Sequence, residues 1–148
     1  MNSINNTNGG FLISKIKQIQ GRVFERLLVR HGIDQFNGAQ GRILFVLWDT
    51  DSIPISELSD KTGLAKTTLT SMLDRLESAN LIARKFGQAD RRKILISLTE
   101  TARALSGGYD RVSGEMNEIF YSGFSDKEII EFENNLRRIL KNLNESEK

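Results

Sequence analysis

Apolar positions recur with a helical period along most of the chain. Leu12, Ile16, Ile19, Val23 and Leu27 fall three or four residues apart, and Phe24 and Leu28 widen that stripe. The pattern predicts a first helix ended by Gly32 and Asp34. A second helix is predicted over 38–48, apolar nearly all round after Arg42, as in a buried central helix. Asp49-Thr50-Asp51-Ser52 reads as a turn, and Pro54 keeps the next residues extended or at a helix start. A short helix over 56–61 then stops at Gly63.

Within 66–79 the two faces separate cleanly. Leu69, Met72, Leu73 and Leu76 form a core-facing stripe, and Thr67, Thr70, Ser71, Asp74 and Ser78 lie opposite. Asn80 stands where a left-handed cap is wanted, a conformation Asn tolerates. Two strands follow, over 81–86 and 94–98, the second with Ile94, Ile96 and Leu98 alternating with Leu95 and Ser97. The loop between them starts at Gly87 and carries Arg91, Arg92 and Lys93 at its far end. Thr99 is placed to cap a long helix to about 121. Gly107, Gly108 and Gly114 inside it each cost about 1 kcal/mol relative to Ala, so a kink or a close helix approach is expected there. Ser125-Asp126-Lys127-Glu128 matches the S/T-x-x-E capping box. It opens a last helix with Ile129, Phe132, Leu136, Ile139, Leu140 and Leu143 on one side, before a polar tail over 144–148.

Composition narrows the class. A chain of 148 residues fits one domain, and its longest apolar run, Ile43 to Trp48, is far too short to span a bilayer. The first ten residues are rich in Asn and lack the basic and apolar regions of a signal peptide, so the cytoplasm is expected. Without cysteine, no disulfide framework or thiol switch is available. The net charge of +2 hides an uneven distribution. Residues 61–99 hold eight basic residues against three acids, residues 100–148 seven against ten, and residues 1–60 six against six. A basic block of this kind is the electrostatic footprint of a polyanion-binding region, or simply a solvated basic face.

The order of elements gives the basic block a candidate use. A short helix, a turn and the 66–79 helix make a helix-turn-helix, whose second helix enters the DNA major groove with its N-terminal residues toward base edges. Small hydroxyls allow close approach to bases and phosphates, and threonine methyls suit thymine methyls. Lys66 at the helix start is placed for a phosphate. The candidate DNA-binding residues are Ser56, Lys66, Thr67, Thr68, Thr70, Ser71 and Arg75, with Arg91, Arg92 and Lys93 on a hairpin wing suited to the minor groove. Asp90, two residues before Arg92, is expected to orient its guanidinium. An enzyme is not expected: there is no Cys nucleophile, no Gly-rich phosphate loop, and only one histidine, His31. No cofactor and no metal site are expected either.

At this point the chain resembles the MarR family of regulators, named for multiple antibiotic resistance. The run from Gly63 through Lys66, Thr67, Thr68, Leu69, Thr70, Ser71, Met72, Leu73, Asp74, Arg75 and Leu76 to Glu77 is similar to the family's recognition-helix pattern. Leu81-Ile82-Ala83-Arg84 continues into its first wing strand. Asp90-Arg91-Arg92 followed by Leu98-Thr99 resembles its D-x-R wing and the Leu-Thr pair that starts the next helix. Gln40, Ile43, Leu44 and Leu47 resemble the second helix. Asn80 stands for a frequent Gly, Ala102 for another, and Ala65 for a capping Ser or Thr.

The resemblance implies a mainly α fold with a small antiparallel β wing: a winged helix-turn-helix with N- and C-terminal dimerisation helices. The expected organisation is a disordered arm over 1–10, a first dimerisation helix over 11–36, a DNA-binding region over 37–99 and C-terminal dimerisation helices over 100–148. The broad apolar stripes of the terminal helices support dimerisation independently, the alternative being an intramolecular bundle. The resemblance also implies repression of transcription at a pseudo-palindromic operator, with release by a small aromatic or anionic effector. Phe24, Arg30, Phe45 and Trp48 are the candidate effector residues, with plain core packing the favoured reading of Phe45 and Trp48. A winged-helix module that binds proteins and no DNA is the competing reading.

Overall fold

The computed structural model describes residues 3–148. Met1 and Asn2, part of the expected disordered arm, lie outside the described residues. Ser3–Asn6 makes a 3-10 turn, closed by the Thr7 hydroxyl on the Ile4 carbonyl at 2.8 Å. Helix α1 (Gly9–Arg30) starts at Gly9 rather than Phe11, because the Leu12 amide already closes on the Asn8 carbonyl at 2.8 Å.

Helix ends follow local chemistry. Past α1, Gly32 takes φ +72° and the Ile33 amide reaches back to the Leu28 carbonyl at 2.9 Å, a Schellman closure. Helix α2 (Gly38–Asp49) opens with a full capping box between Asn37 and Gln40. Glu25 of α1 accepts the Gly38 amide at 2.6 Å, tying α1 to the start of α2. Gly41, Ile43, Leu44 and Leu47 are buried, as a central helix requires.

The segment at Pro54 is a strand as well as a helix start. Strand β1 (Ile53–Pro54) leads directly into α3 (Ile55–Thr62). Helix α4 (Lys66–Ser78) follows, closed by Asn80 at φ +60° and by the Leu81 amide on the Leu76 carbonyl at 2.9 Å. Strands β2 (Ile82–Phe86) and β3 (Ile94–Leu98) form the hairpin, and the antiparallel sheet order is β1-β3-β2. Ile53 lies opposite Ile96, and Ile82, Arg84 and Phe86 lie opposite Leu98, Ile96 and Ile94. Ser97 is buried although it sits on the polar side of the alternation, because its hydroxyl meets that of Ser52 at 2.8 Å.

The expected single helix after Thr99 is two. Helix α5 (Glu100–Ala104) and helix α6 (Ser106–Phe120) are separated at Leu105, ahead of the glycine pair where a kink was expected. The Ala102 carbonyl accepts both the Leu105 amide at 3.1 Å and the Trp48 indole N–H at 3.0 Å. That second donor draws the carbonyl toward α2 and tightens the turn.

The chain divides into two compact units, Met1–Ser113 and Gly114–Lys148. In the first, Leu28, Ile43, Leu44, Leu47, Leu58, Leu69, Leu73, Leu76, Leu81, Ile82 and Ile96 are fully buried side chains, so the core lies among α1, α2, α3, α4 and the sheet. In the second, Ser125 and Glu128 form the predicted capping box, and α7 (Asp126–Ser146) continues through most of the expected polar tail. The rings of Phe120, Tyr121 and Phe132 meet there at centroid distances of 4.9 Å and 6.2 Å from Tyr121. The Tyr121 hydroxyl donates to Glu133 at 2.7 Å. Among the described residues no helix is long and apolar enough to cross a membrane.

Candidate nucleic-acid interface

The angle between α3 and α4 is set by a short polar turn. Gly63 adopts φ +75° and caps α3. The Ser59 hydroxyl donates to the Leu64 carbonyl at 2.6 Å, and the Thr62 hydroxyl donates to Leu58 at 2.7 Å while accepting the Leu64 amide at 3.2 Å. Both backbone polar groups of Leu64 are therefore held from α3. Sequence reasoning passed over Ser59 and Thr62, which look like ordinary surface hydroxyls.

On α4, Leu69, Leu73 and Leu76 are buried, while Lys66, Thr67, Thr68, Thr70, Ser71 and Arg75 are exposed, with Thr67 and Ser71 directly opposite the buried stripe. No acid occurs in this helix before Asp74. Ala65 at the N-cap makes no side-chain hydrogen bond, so the first-turn amides carry no side-chain cap. Thr70 donates back to the Lys66 carbonyl at 2.8 Å, leaving its methyl and lone pairs as its outward chemistry. Ser56 is exposed on the first turn of α3.

The wing loop is tightly closed. Gly87 donates to the Lys93 carbonyl at 2.9 Å, and Lys93 donates to the Asp90 carbonyl at 3.1 Å. A Cβ at Gly87 would lie 2.9 Å from the Asp90 carbonyl oxygen, so glycine is required for that approach. The Asp90 carboxylate accepts from the Arg92 amide at 3.0 Å and from its Nε at 3.1 Å. Those bonds hold the Asp90 carboxyl below its ordinary range. Arg92 nevertheless keeps its side chain 91% exposed: its guanidinium is oriented and uncovered at once. Arg91 and Lys93 flank it, also exposed.

A clasp not anticipated from the sequence joins wing to helix. Arg84 of β2 reaches Glu77 at 2.7 Å and Asp74 at 2.9 Å, both on α4. The two acids are spaced i, i+3 and so share a helix face, which is the signal that was available. A second junction lies at the far end of the sheet. Asp51 accepts from the Ser52 and Leu98 amides at 2.7 and 2.9 Å and from Arg103 of α5 at 3.0 Å.

Of the candidate effector residues, Phe24, Phe45 and Trp48 gather round the Tyr109 ring at centroid distances of 5.7, 6.0 and 5.2 Å. Phe36 joins them at 6.0 Å from Tyr109. Burial pushes the Tyr109 hydroxyl up. Arg30 is exposed at the last turn of α1, roughly one and two-thirds turns beyond Phe24 and so on a different face. A cavity of about 560 Å³ lies beside this cluster in sequence, lined among others by Glu25, Leu28, Val29, Ile33, Phe36 and Gln40. None of Phe24, Arg30, Phe45 and Trp48 lines it.

Comparison with known proteins agrees with this geometry. Residues 36–94 match the model of the MarR family. The transcriptional regulator TtmR of Methylorubrum extorquens is 32% identical over 90 residues, covering 61% of this chain and 45% of that protein. The chain thus spans less than half of that relative's length. Its fold is similar to that of a mutant MarR from Escherichia coli complexed with operator DNA, with TM-score 0.80, 24% identity and coverage of 93% and 97%. It is also similar to Bordetella bronchiseptica BpsR, whose DNA binding is regulated by 6-hydroxynicotinic acid, with TM-score 0.78, 23% identity and coverage of 88% and 91%. At these identities the two structures establish the winged-helix fold. The relatives matched in sequence are transcriptional regulators rather than enzymes. Residues 36–94, the stretch similar to the MarR family, hold the helix-turn-helix and most of the wing.

Proposed function

We propose that the protein is a homodimeric, sequence-specific DNA-binding transcriptional regulator, a repressor released by a small-molecule effector. The observation that carries the reading is Arg92, held by Asp90 yet 91% exposed at the end of a hairpin that Arg84 clasps to α4. Helix α4 lies in the major groove with Lys66, Thr67, Thr68, Thr70 and Ser71 toward bases and phosphates, joined by Ser56 and Arg75. The wing places Arg91, Arg92 and Lys93 at the minor groove, where the negative potential favours arginine. The uncapped first-turn amides of α4 add anion-binding capacity. The protein acts in the cytoplasm, where its operator is.

Dimerisation is supported by apolar surface on the terminal helices. Phe11, Leu12, Ile13, Ile16 and Ile19 of α1 are 42–70% exposed, and Ile139, Leu140 and Leu143 of α7 are 44–59% exposed. Covering such stripes is favourable by about 25 cal/mol per Å². Regions 11–36 and 100–148 therefore serve the dimer, and 37–99 the DNA. The effector is a small aromatic or anionic compound.

The test is a titration against the DNA upstream of the protein's own gene, at two salt concentrations, with nonspecific DNA as competitor. Six to eight neutralised phosphates per dimer give a slope of log K against log salt of roughly −5 to −7. A two-fold-symmetric footprint with half-sites about 10 bp apart, or a multiple, is expected. Failure to bind any DNA at low salt would overturn the reading in favour of a protein-interaction module.

A further inference from the structure

One face of the β2–β3 hairpin changes character along its length. At the inner rung, Ile82 and Leu98 are 2% and 4% exposed. At the middle rung, Ile96 is buried and Arg84 is tied to α4. At the outer rung, Phe86 and Ile94 face each other with 70% and 48% of their surfaces exposed. The core therefore ends at the middle rung, and the outer pair adds nothing to it. A bare aromatic beside a branched aliphatic remains, one rung short of the loop that carries Arg92.

Everything charged near this pair on the wing is positive apart from Asp90, whose carboxylate is engaged by Arg92. Lys85 precedes Phe86, Lys93 precedes Ile94, and Arg91 and Arg92 stand beyond. Strand alternation turns Lys85 to the opposite face, so the cations beside the apolar pair are those toward the loop, and an apolar patch bordered there by cations fits a surface with apolar walls and anionic rims. The minor groove has that construction: deoxyribose walls between two lines of phosphate. We infer that Phe86, backed by Ile94, is a minor-groove contact that makes the wing a reader of DNA deformability beside each half-site. The inference rests on the DNA-binding reading above and deepens it.

The two parts of the wing pull toward different DNA. An arginine alone is drawn to the narrow, strongly negative groove of a stiff A-tract. An aromatic side chain needs a groove that opens, and apolar wedges act at steps that unstack easily. Pyrimidine–purine steps such as TA and CA are the flexible ones. With Phe86 in place, flexible flanks are preferred over A-tract flanks.

The experiment uses the full chain and the upstream DNA of its own gene in two versions, with TA/CA steps or A-tracts where the wing lies. Phe86→Thr keeps strand propensity and removes the ring; thermal unfolding confirms that the fold is intact. The expected result is about a tenfold loss of affinity on the flexible flank, a smaller loss on the A-tract flank, and an unchanged salt slope, since no charge is altered. Arg92→Ala in parallel lowers affinity on both flanks and flattens the slope. Phe86→Trp reports directly: its emission, with Trp48 subtracted through the native chain, changes when the flexible-flank DNA is added. Native-like binding by Phe86→Thr, an equal loss on both flanks, or unchanged Phe86→Trp emission overturns the inference while leaving DNA binding standing. Absence of binding by the native chain removes both.

Discussion

Gly41→Ala tests the packing that joins α1, α2 and α6. A Cβ at this position would lie 2.8 Å from Tyr109 Cε2 and 3.1 Å from Phe36 Cε2. Phe36 is buried and Tyr109 half-buried, and both are braced by other rings. Tyr109 is surrounded by Phe24, Phe36, Phe45 and Trp48 at centroid distances between 5.2 and 6.0 Å, and the Trp48 indole is pinned to Ala102 at 3.0 Å. Alanine gains about 1 kcal/mol of helix propensity over glycine. Forcing a methyl into a packed core costs about 1–3 kcal/mol, and displacing two interlocked rings belongs at the upper end. The net expectation is a destabilisation of about 1–2 kcal/mol. Urea unfolding followed by Trp48 fluorescence is the assay, since Trp48 is the single tryptophan and sits in the cluster. At an m-value of about 2 kcal/mol/M the midpoint falls by roughly 0.5–1 M, at fixed protein concentration. Gly108→Ala is the matched control. There the new methyl meets only the flexible end of Ile33, Cδ1 at 3.1 Å, so the propensity gain survives and the midpoint holds or rises. A Gly41→Ala midpoint at or above that of the native chain would refute the account of a close-packed ring cluster.

Other consequences can be checked separately. Arg84→Ala unpairs Asp74 and Glu77 on α4, beside the proposed DNA-contacting residues; half-exposed pairs of this kind are worth about 0.2–1 kcal/mol each, so thermal stability falls slightly while, on the proposed function, operator affinity falls more, by footprinting and titration. Asp51→Ala strands the Leu98 amide and leaves Arg103 with Glu100 alone, and should cost about 1–3 kcal/mol in urea unfolding; a silent substitution would deny Asp51 a joining role. Tyr121 is pushed up to about 12 by desolvation and by its bond to Glu133. Its raised value favours the neutral phenol in the fold, a contribution fully present below the ordinary value near 10 and lost as pH rises through about 12. Absorbance at 295 nm should show late phenol titration, and Tyr121→Phe should remove the Tyr121 share, leaving that of Tyr109. The lowered Asp90 value works in the opposite sense: its contribution is present above the ordinary carboxylate range and is lost as pH falls through the depressed value, so wing ordering by NMR should survive mild acid and fail at lower pH.

What was legible in the sequence was whatever depends on near neighbours. Ser125 with Glu128, Thr99 before Ala102 and Asn80 after α4 each act within four residues, and each forms as read. Asp90 and Arg92 are two apart, and their pairing was equally visible. The remainder depends on distant partners. A two-residue strand at Ile53 has no alternation to detect and exists because Ile96 lies opposite. Ser97 is buried through Ser52, 45 positions away, against the polarity of its own strand. The interruption at Leu105 comes from a Trp48 donor 54 positions from its acceptor, so the glycines nearby pointed only to the neighbourhood. Tyr109, the hub of the ring cluster, lies in a Gly-rich stretch with no periodic signal of its own. Phe86 read as the end of a strand, and only the register reveals that its face has run out of core.

The shortness of β1 bears on how the protein behaves when concentrated. A sheet with an open side is a template on which another chain can add hydrogen-bonded strands, the first step toward fibrous aggregates. Here that side is two residues long, and one of them, Pro54, has no N–H to offer. The opposite side, along β2, carries Arg84 and Lys85, so a second copy laid against it would bring like charges together. Both margins of the sheet thus disfavour extension.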